Sequence, residues 1–280
     1  MRASLAETGA ATLSNPQAIA RDFATVRPFR RPMQKIFQPK RRGYKRVLAI
    51  AALLVAAAVG AAAWLEPALG ATACPICYGF DRLKEDVYVD NRATDEERES
   101  ARAIVMAAAH RIASFYGEQR SAPRLFLCTT QECYDGFRGG FGGNARGVAI
   151  LDVVLVLAPL GFNDVVATHE LSHVEMHHRL GRLDTLRRAI PQWFDEGVAA
   201  IASQDSRYPS DGTVEECAGA MQGVLPSQRG EWTHDAGHDA LYRKAALRVG
   251  CWMHGRGGAA AVTGLIDKVA AGMPFDEAYR

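Results

Sequence analysis

His169, Glu170 and His173 stand in the run His-Glu-Leu-Ser-His, and Trp193-Phe194-Asp195-Glu196-Gly197 follows downstream. On a helix, residues four apart share a face, so His169 and His173 can grip one ion together. Zinc accepts imidazole nitrogen and carboxylate oxygen, and a catalytic zinc keeps three protein ligands plus one water. Glu170, beside the pair, is placed to take a proton from that water. Glu196 offers a third ligand. A five-residue pattern of this kind also arises by chance, so its surroundings carry weight.

The element that must hold the pair is legible. Ala167, Leu171 and Val174 form one apolar stripe at helical spacing, with Val165, Met176 and Leu180 nearer the histidine face. Asn163 can cap the start, Asp164 sits in the first turn, and Gly181 can end the helix. A buried, central helix is expected. Two histidines and a glutamate on it need partners, because unpaired burial is costly, and a metal is the simplest single one. A metzincin needs Gly at 176 and His at 179. The chain has Met176 and Arg179, so that reading fails. The stretch 174–195 is long enough to turn and enter a second helix, whose first turn suits Pro191. Gly197 interrupts that helix at a cost of about 1 kcal/mol against Ala, which implies close packing against the first helix.

The pair HELSH and WFDEGVA resembles the active-site motifs of the gluzincin peptidases, the thermolysin and aminopeptidase N superfamily. The resemblance covers roughly residue 124 to the C-terminus. It implies zinc as cofactor, Glu196 as third ligand on a helix antiparallel to the first, and hydrolysis of peptide bonds. Tyr242-Arg243-Lys244 is similar to the Tyr-x-Lys-Gly segment of the aminopeptidase N-like branch, whose tyrosine stabilises the oxyanion. An amphipathic helix from Asp239 to Met253 would equally use Tyr242 as a core aromatic. The aminopeptidases carry a Gly-x-Met-Glu-Asn segment whose glutamate holds the substrate amine. Here Arg146-Gly147-Val148-Ala149-Ile150 has no glutamate, which points to an endopeptidase rather than an aminopeptidase. An edge strand at 148–151 or 153–157 could still pair with a peptide main chain. The glycine-rich run 139–147 before it reads as a mobile loop. The thermolysin-type aspartate four residues beyond the glutamate ligand is replaced by Ala200.

Other polar residues are weighed against plainer roles. Asp195 could orient a ligand histidine, cap the helix or face solvent. His177 extends the histidine face by one turn, yet three such residues cannot reach one ion from a straight helix, so it is read as supporting a ligand from behind or lying at the rim. His178 is read as having no function. His234 and His238, with Gly237 between them, suit a surface turn.

Val47 to Leu65 is a charge-free run long enough to cross a bilayer. Residues 1–46 carry eleven Lys or Arg against Glu7 and Asp22, a net of +9, so the remainder carries −7 to reach the total of +2. The positive-inside rule then places the N-terminus in the cytoplasm and the bulk outside. A basic tail beside a span orients the protein rather than binding nucleic acid. Ala71-Thr72-Ala73 has the form of a signal-peptidase site, but the apolar run and its leading tail are longer than in a signal peptide. Either way the downstream part reaches the same compartment, the periplasm or its equivalent.

All six cysteines follow the span, as disulfides of an exported domain would. Six cysteines allow fifteen pairings. The expected set is the two local pairs, Cys74–Cys77 and Cys128–Cys133, with Cys217–Cys251. Cys74-Pro75-Ile76-Cys77 also has the form of a redox motif, but no thioredoxin-like pattern surrounds it, so a structural bridge is expected.

The organisation expected is a basic tail at 1–46, a transmembrane anchor at 47–65, a linker at 66–92 and a zinc peptidase domain at 93–280. Thr94-Asp95-Glu96-Glu97 is a capping box opening a helix to about Tyr116, with Ile104, Val105, Ala108, Ile112 and Phe115 as its stripe. Strands are expected at 124–130 and within 148–157. A turn-rich stretch at 204–238 and helices near 239–254 and 258–271 complete an α+β fold. In gluzincin terms it is a small catalytic domain with a compact, mostly antiparallel sheet. The functional reading is a membrane-anchored peptidase acting on an exported peptide or protein, with the oligomeric state left open. The alternative is a non-catalytic, zinc-stabilised domain that binds an exported protein or peptide, against which an intact Glu170 speaks. A zinc hydrolase with a non-peptide substrate is the third.

Overall fold

The computed structural model describes residues 41–137, 145–228, 230, 232 and 238–280. Five strands form one sheet: β1 (Phe80–Lys84), β2 (Val87–Asp90), β3 (Arg124–Leu127), β4 (Gly147–Ile150) and β5 (Val154–Leu157). Their order is β1-β2-β3-β5-β4. The outer pairs, β1 with β2 and β4 with β5, run antiparallel. The inner pairs, β2 with β3 and β3 with β5, run parallel. The fold is therefore α+β as expected, but the sheet is mixed rather than mostly antiparallel. The reason lies in the connections. A 22-residue helix, α3 (Asp95–Tyr116), carries the chain from β2 back to the same end before β3 begins, and such a crossover makes parallel neighbours.

The segment expected as linker, 66–92, is largely structured. It holds a short helix, α2 (Pro67–Ala71), and both β1 and β2. All four residues of β2 are buried, so its sequence lacks the alternation that marks a half-exposed strand. The turn between the strands uses Asp86 at φ 55 with no glycine to announce it.

Strand residues divide by parity between two cores. Leu125, Leu127, Leu155 and Leu157 enter the main core with α3 and the C-terminal helices. Phe126, Val154, Val156, Val148 and Phe80 enter a smaller core with Ala68, Ala71 and helix α4 (Gln131–Phe137), through Tyr134 and Phe137. The Thr94 hydroxyl accepts from the Glu97 amide, and the Glu97 carboxylate from the Thr94 amide, so the expected capping box opens α3. Its buried face is Ala101, Val105, Ala108, Ile112 and Tyr116, with Ile104 and Phe115 at the margin.

Among the described residues the remaining helices are α5 (Asp164–Leu180), α6 (Arg182–Leu186), α7 (Gln192–Ala202), α8 (Val214–Met221), α9 (His238–His254), α10 (Ala259–Ala270) and α11 (Phe275–Tyr279). Helix α8 lies in the stretch expected to be turn-rich, and its start is a second capping box, Thr213 with Glu216. The three disulfides are Cys74–Cys77, Cys128–Cys133 and Cys217–Cys251, the set expected, and the last ties α8 to α9. The glycine-rich connection expected as a mobile loop lies mostly outside the described residues, as does His234.

The run expected to cross a membrane falls within one helix, α1 (Arg41–Leu65). Val47, Leu48, Ile50, Leu53, Leu54 and Val55 on it are exposed. Among the described residues, no helix is long and apolar enough to cross a membrane. The side chains of residues 56, 58, 59 and 62–64 of that run lie outside the described ones, as does the basic tail 1–40.

Candidate metal centre

Helix α5 is fixed at both ends. The Asn163 side chain accepts from the Val166 amide at 2.9 Å, and the Arg111 guanidinium meets the Asp164 carboxylate at 2.5 Å. Towards the C-terminus, fully buried Glu175 accepts from the Arg120 and Ser121 amides and from Arg179 Nε at 2.7 Å. Val166, Ala167, Leu171, Val174 and Met176 are buried in the main core. The face left over carries His169, Glu170, His173 and His177.

Helix α7 brings Glu196 to that face. Its Trp193, Phe194 and Val198 are buried in the same core. Gly197 answers a packing demand, but not the one expected. A Cβ there would lie 2.7 Å from Ala245 O and from Val249 Cγ2, so the glycine admits α9 rather than the HExxH helix.

The three donors form a nearly regular triangle. His169 Nε2 lies 3.2 Å from His173 Nε2 and 3.2 Å from Glu196 Oε2, and His173 Nε2 lies 3.4 Å from Glu196 Oε2. Ligands at 2.0–2.1 Å around a tetrahedral ion stand about 3.3 Å apart, so the spacing fits a single ion the size of zinc. Among the described residues this is the one group of three His, Cys, Asp or Glu side chains that could hold a metal ion. The donor set, two imidazoles and one carboxylate, leaves room for a fourth ligand.

The surroundings orient these donors. The Asp195 carboxylate can only accept, so His173 donates its Nδ1–H to Asp195 Oδ1 at 2.7 Å, and its Nε2 faces the triangle. Asp195 Oδ2 accepts from His177 Nε2 at 3.2 Å. His177 is thus outside the donor set, as expected, and held by the same carboxylate. His178 is exposed and lies 3.4 Å from Asp152. Gln192 donates its Nε2–H to Glu196 Oε1 at 2.7 Å. Glu170 packs under the end of β4: a Cβ on Gly147 would stand 2.6 Å from Glu170 Cγ. Tyr242 on α9 reaches the centre, its ring 6.0 Å from that of His169, and is flanked by Tyr208 at 5.3 Å and Trp232 at 5.1 Å. The Tyr208 hydroxyl donates to Asp239 at 2.7 Å.

Burial and charge compete here, and charge prevails at the carboxylates. Burial would raise the pKa of Glu196, but the facing His173 and His169 hold it well below the usual carboxylate range. Burial would likewise raise Asp195, and His173, then His177, depress it strongly. His173 would lose its proton on burial, yet Asp195 and Glu196 hold its pKa well above the ordinary value. A metal-free centre is therefore a compact cluster of opposite charges, and a cation would take the place of the His173 proton. Tyr242 is raised well above the usual phenol value by burial and then by the Glu196 and Glu170 charges, so its hydroxyl keeps its proton. Tyr208 is pushed up to about 12 by burial and by its bond to Asp239.

All five residues singled out from sequence, His169, Glu170, His173, Glu196 and Tyr242, converge on one place. No known family model, characterised protein or solved structure matches this chain. Sequence reasoning passed over Gln192, Tyr208 and Trp232. The signal for Gln192 was present, since it stands four residues before Glu196 on the same helix face. Tyr208 and Trp232 come from the stretch between α7 and α9 and carried none.

Proposed function

We propose that the chain is a membrane-anchored, extracytoplasmic zinc peptidase of gluzincin type. The observation that carries the reading is the triangle of His169, His173 and Glu196 donors with Glu170 beside it on the same helix and outside the donor set. A structural zinc site is closed by four protein ligands; among the described residues only three converge here, which favours catalysis over the zinc-stabilised binding domain.

A zinc ion bound there supplies a Lewis acid that acidifies a water and polarises a carbonyl. Glu170 takes the proton of the attacking water and passes it to the leaving amine. Gly147, without a side chain, lets β4 lie against Glu170 and holds it in place. Tyr242, protonated, donates to the developing oxyanion. Strand β4 closes one edge of the sheet next to Glu170 and, among the described residues, pairs with β5 alone, so its outer edge suits an extended peptide main chain. The 146–150 segment offers no carboxylate to hold a free amine, which favours internal cleavage. The exposed apolar face of α1, behind a basic tail, supports a single-pass anchor with the N-terminus in the cytoplasm.

The test uses full-length protein in detergent. Metal analysis is expected to find about one zinc per chain in the wild type and in Glu170→Gln. Cleavage of unstructured peptides should fall by roughly 10²–10⁴-fold in Glu170→Gln. Blocking the peptide N-terminus by acetylation should not protect it. Wild-type turnover in Glu170→Gln would refute the mechanism, and a strict demand for a free amine would make it an aminopeptidase. For topology, a periplasm-active reporter fused after Arg280 should be active and one fused at Arg46 inactive; the reverse would overturn the orientation.

A further inference from the structure

The first turn of α7 carries more than a ligand. Gln192 stands one helical turn before Glu196 and spans the gap with its amide, Nε2–H donating to Glu196 Oε1 at 2.7 Å. The two oxygens of Glu196 are thereby given different work. Oε2 faces both imidazoles, at 3.2 and 3.4 Å, while Oε1 faces the Gln192 amide. The Gln192 main-chain N–H donates to Ser227 O at 3.1 Å and ties the helix start to the chain before α9.

An ordinary pair of this spacing on a helix surface contributes only about 0.2–0.5 kcal/mol. Two features set this one apart. The acceptor is a carboxylate buried in the core of the site, and the bond is short at 2.7 Å. It also lands on the one oxygen that does not face the other donors. A glutamate free of such a hold can close on an ion with both oxygens, adding a donor where an open catalytic site needs room for water.

We infer that Gln192 is a positioning residue, whose amide keeps Glu196 on the ion through Oε2 alone and so preserves the open position. The inference rests on the metal-centre reading and extends it to the coordination number. Asp195 does the equivalent for His173, so the helix that supplies one ligand also sets the orientation of two.

The test loads full-length protein in detergent with Co2+, whose visible spectrum reports coordination number, and compares wild type with Gln192→Met, which keeps the shape and loses the donor. Gln192→Ala is the second variant, used in the same way should the Met variant not fold. The wild type is expected to show the intense absorption of four-coordinate cobalt. Both variants should shift towards the weaker absorption of five-coordinate cobalt, and X-ray absorption should count one added oxygen neighbour. Spectra in folded variants identical to wild type would overturn the positioning role while leaving the metal centre intact. A wild type that binds no cobalt or zinc would overturn the metal centre and this inference with it.

Discussion

Gly147→Ala is the sharpest probe of how the fold holds Glu170. The glycine has no positive φ, so the backbone itself tolerates alanine. Space is what it lacks. A Cβ built there stands 2.6 Å from Glu170 Cγ, 3.1 Å from Cδ and 3.2 Å from Oε1. Carbon atoms rest at about 3.5–4.0 Å, so roughly 1 Å of separation must be found. Shifting β4 would strain its ladder to β5 and the bond from the Ala158 amide to Arg146 O. Turning the Glu170 side chain is the easier path. A misplacement of about 1 Å in a catalytic group costs on the order of 10²-fold in rate, or about 2.7 kcal/mol of barrier. Glu170 is outside the donor triangle, so zinc content should stay at the wild-type level. Steady-state cleavage of a peptide, zinc analysis and a thermal melt on the same preparation separate these effects. A folded, zinc-loaded Gly147→Ala variant with the wild-type rate would refute the positioning of Glu170 by β4.

Gly197→Ala pits helix propensity against packing: alanine gains about 1 kcal/mol in the helix but meets Ala245 O and Val249 at 2.7 Å, an overpacking that costs about 1–3 kcal/mol. Denaturant unfolding should show a net loss together with weaker zinc binding, and a more stable variant would contradict the close α7–α9 approach. Glu175→Gln leaves buried Arg179 without its charge partner, a loss of about 3–5 kcal/mol by denaturant unfolding at neutral pH. Burial would raise the Glu175 pKa, but bonds from Ser121, Arg179 and Arg120 lower it. Its contribution is therefore present above the unfolded value of about 4.3 and lost as pH falls through the folded one, so the gap between variant and wild type should narrow in acid; a pH-independent gap would contradict the pairing. Tyr242→Phe should lower kcat by the roughly 10²–10³-fold that one oxyanion donor supplies, with zinc retained, whereas an unchanged rate would make Tyr242 a packing aromatic.

What the sequence by itself determined lies within single elements or between near neighbours. The spacing of His169 and His173, the capping box and stripe of α3, and the two local disulfides are set by the pitch of a helix or the reach of a few residues. Glu196 was legible because its motif sits one connection away from the histidines. Tertiary structure alone decided the parallel centre of the sheet, since alternation marks a strand's faces and not its direction. It alone decided that β2 belongs to the sheet, because a strand buried on both sides shows no period. It also chose the partner of Gly197: a missing side chain announces a close approach without saying which helix approaches. The same holds for the ring around the donors. Asp195 bridging two histidines, Gln192 holding one glutamate oxygen, and Tyr208 and Trp232 flanking Tyr242 depend on how α5, α7 and α9 meet. That meeting is fixed by burial of the whole core, a long-range balance that no local spacing records.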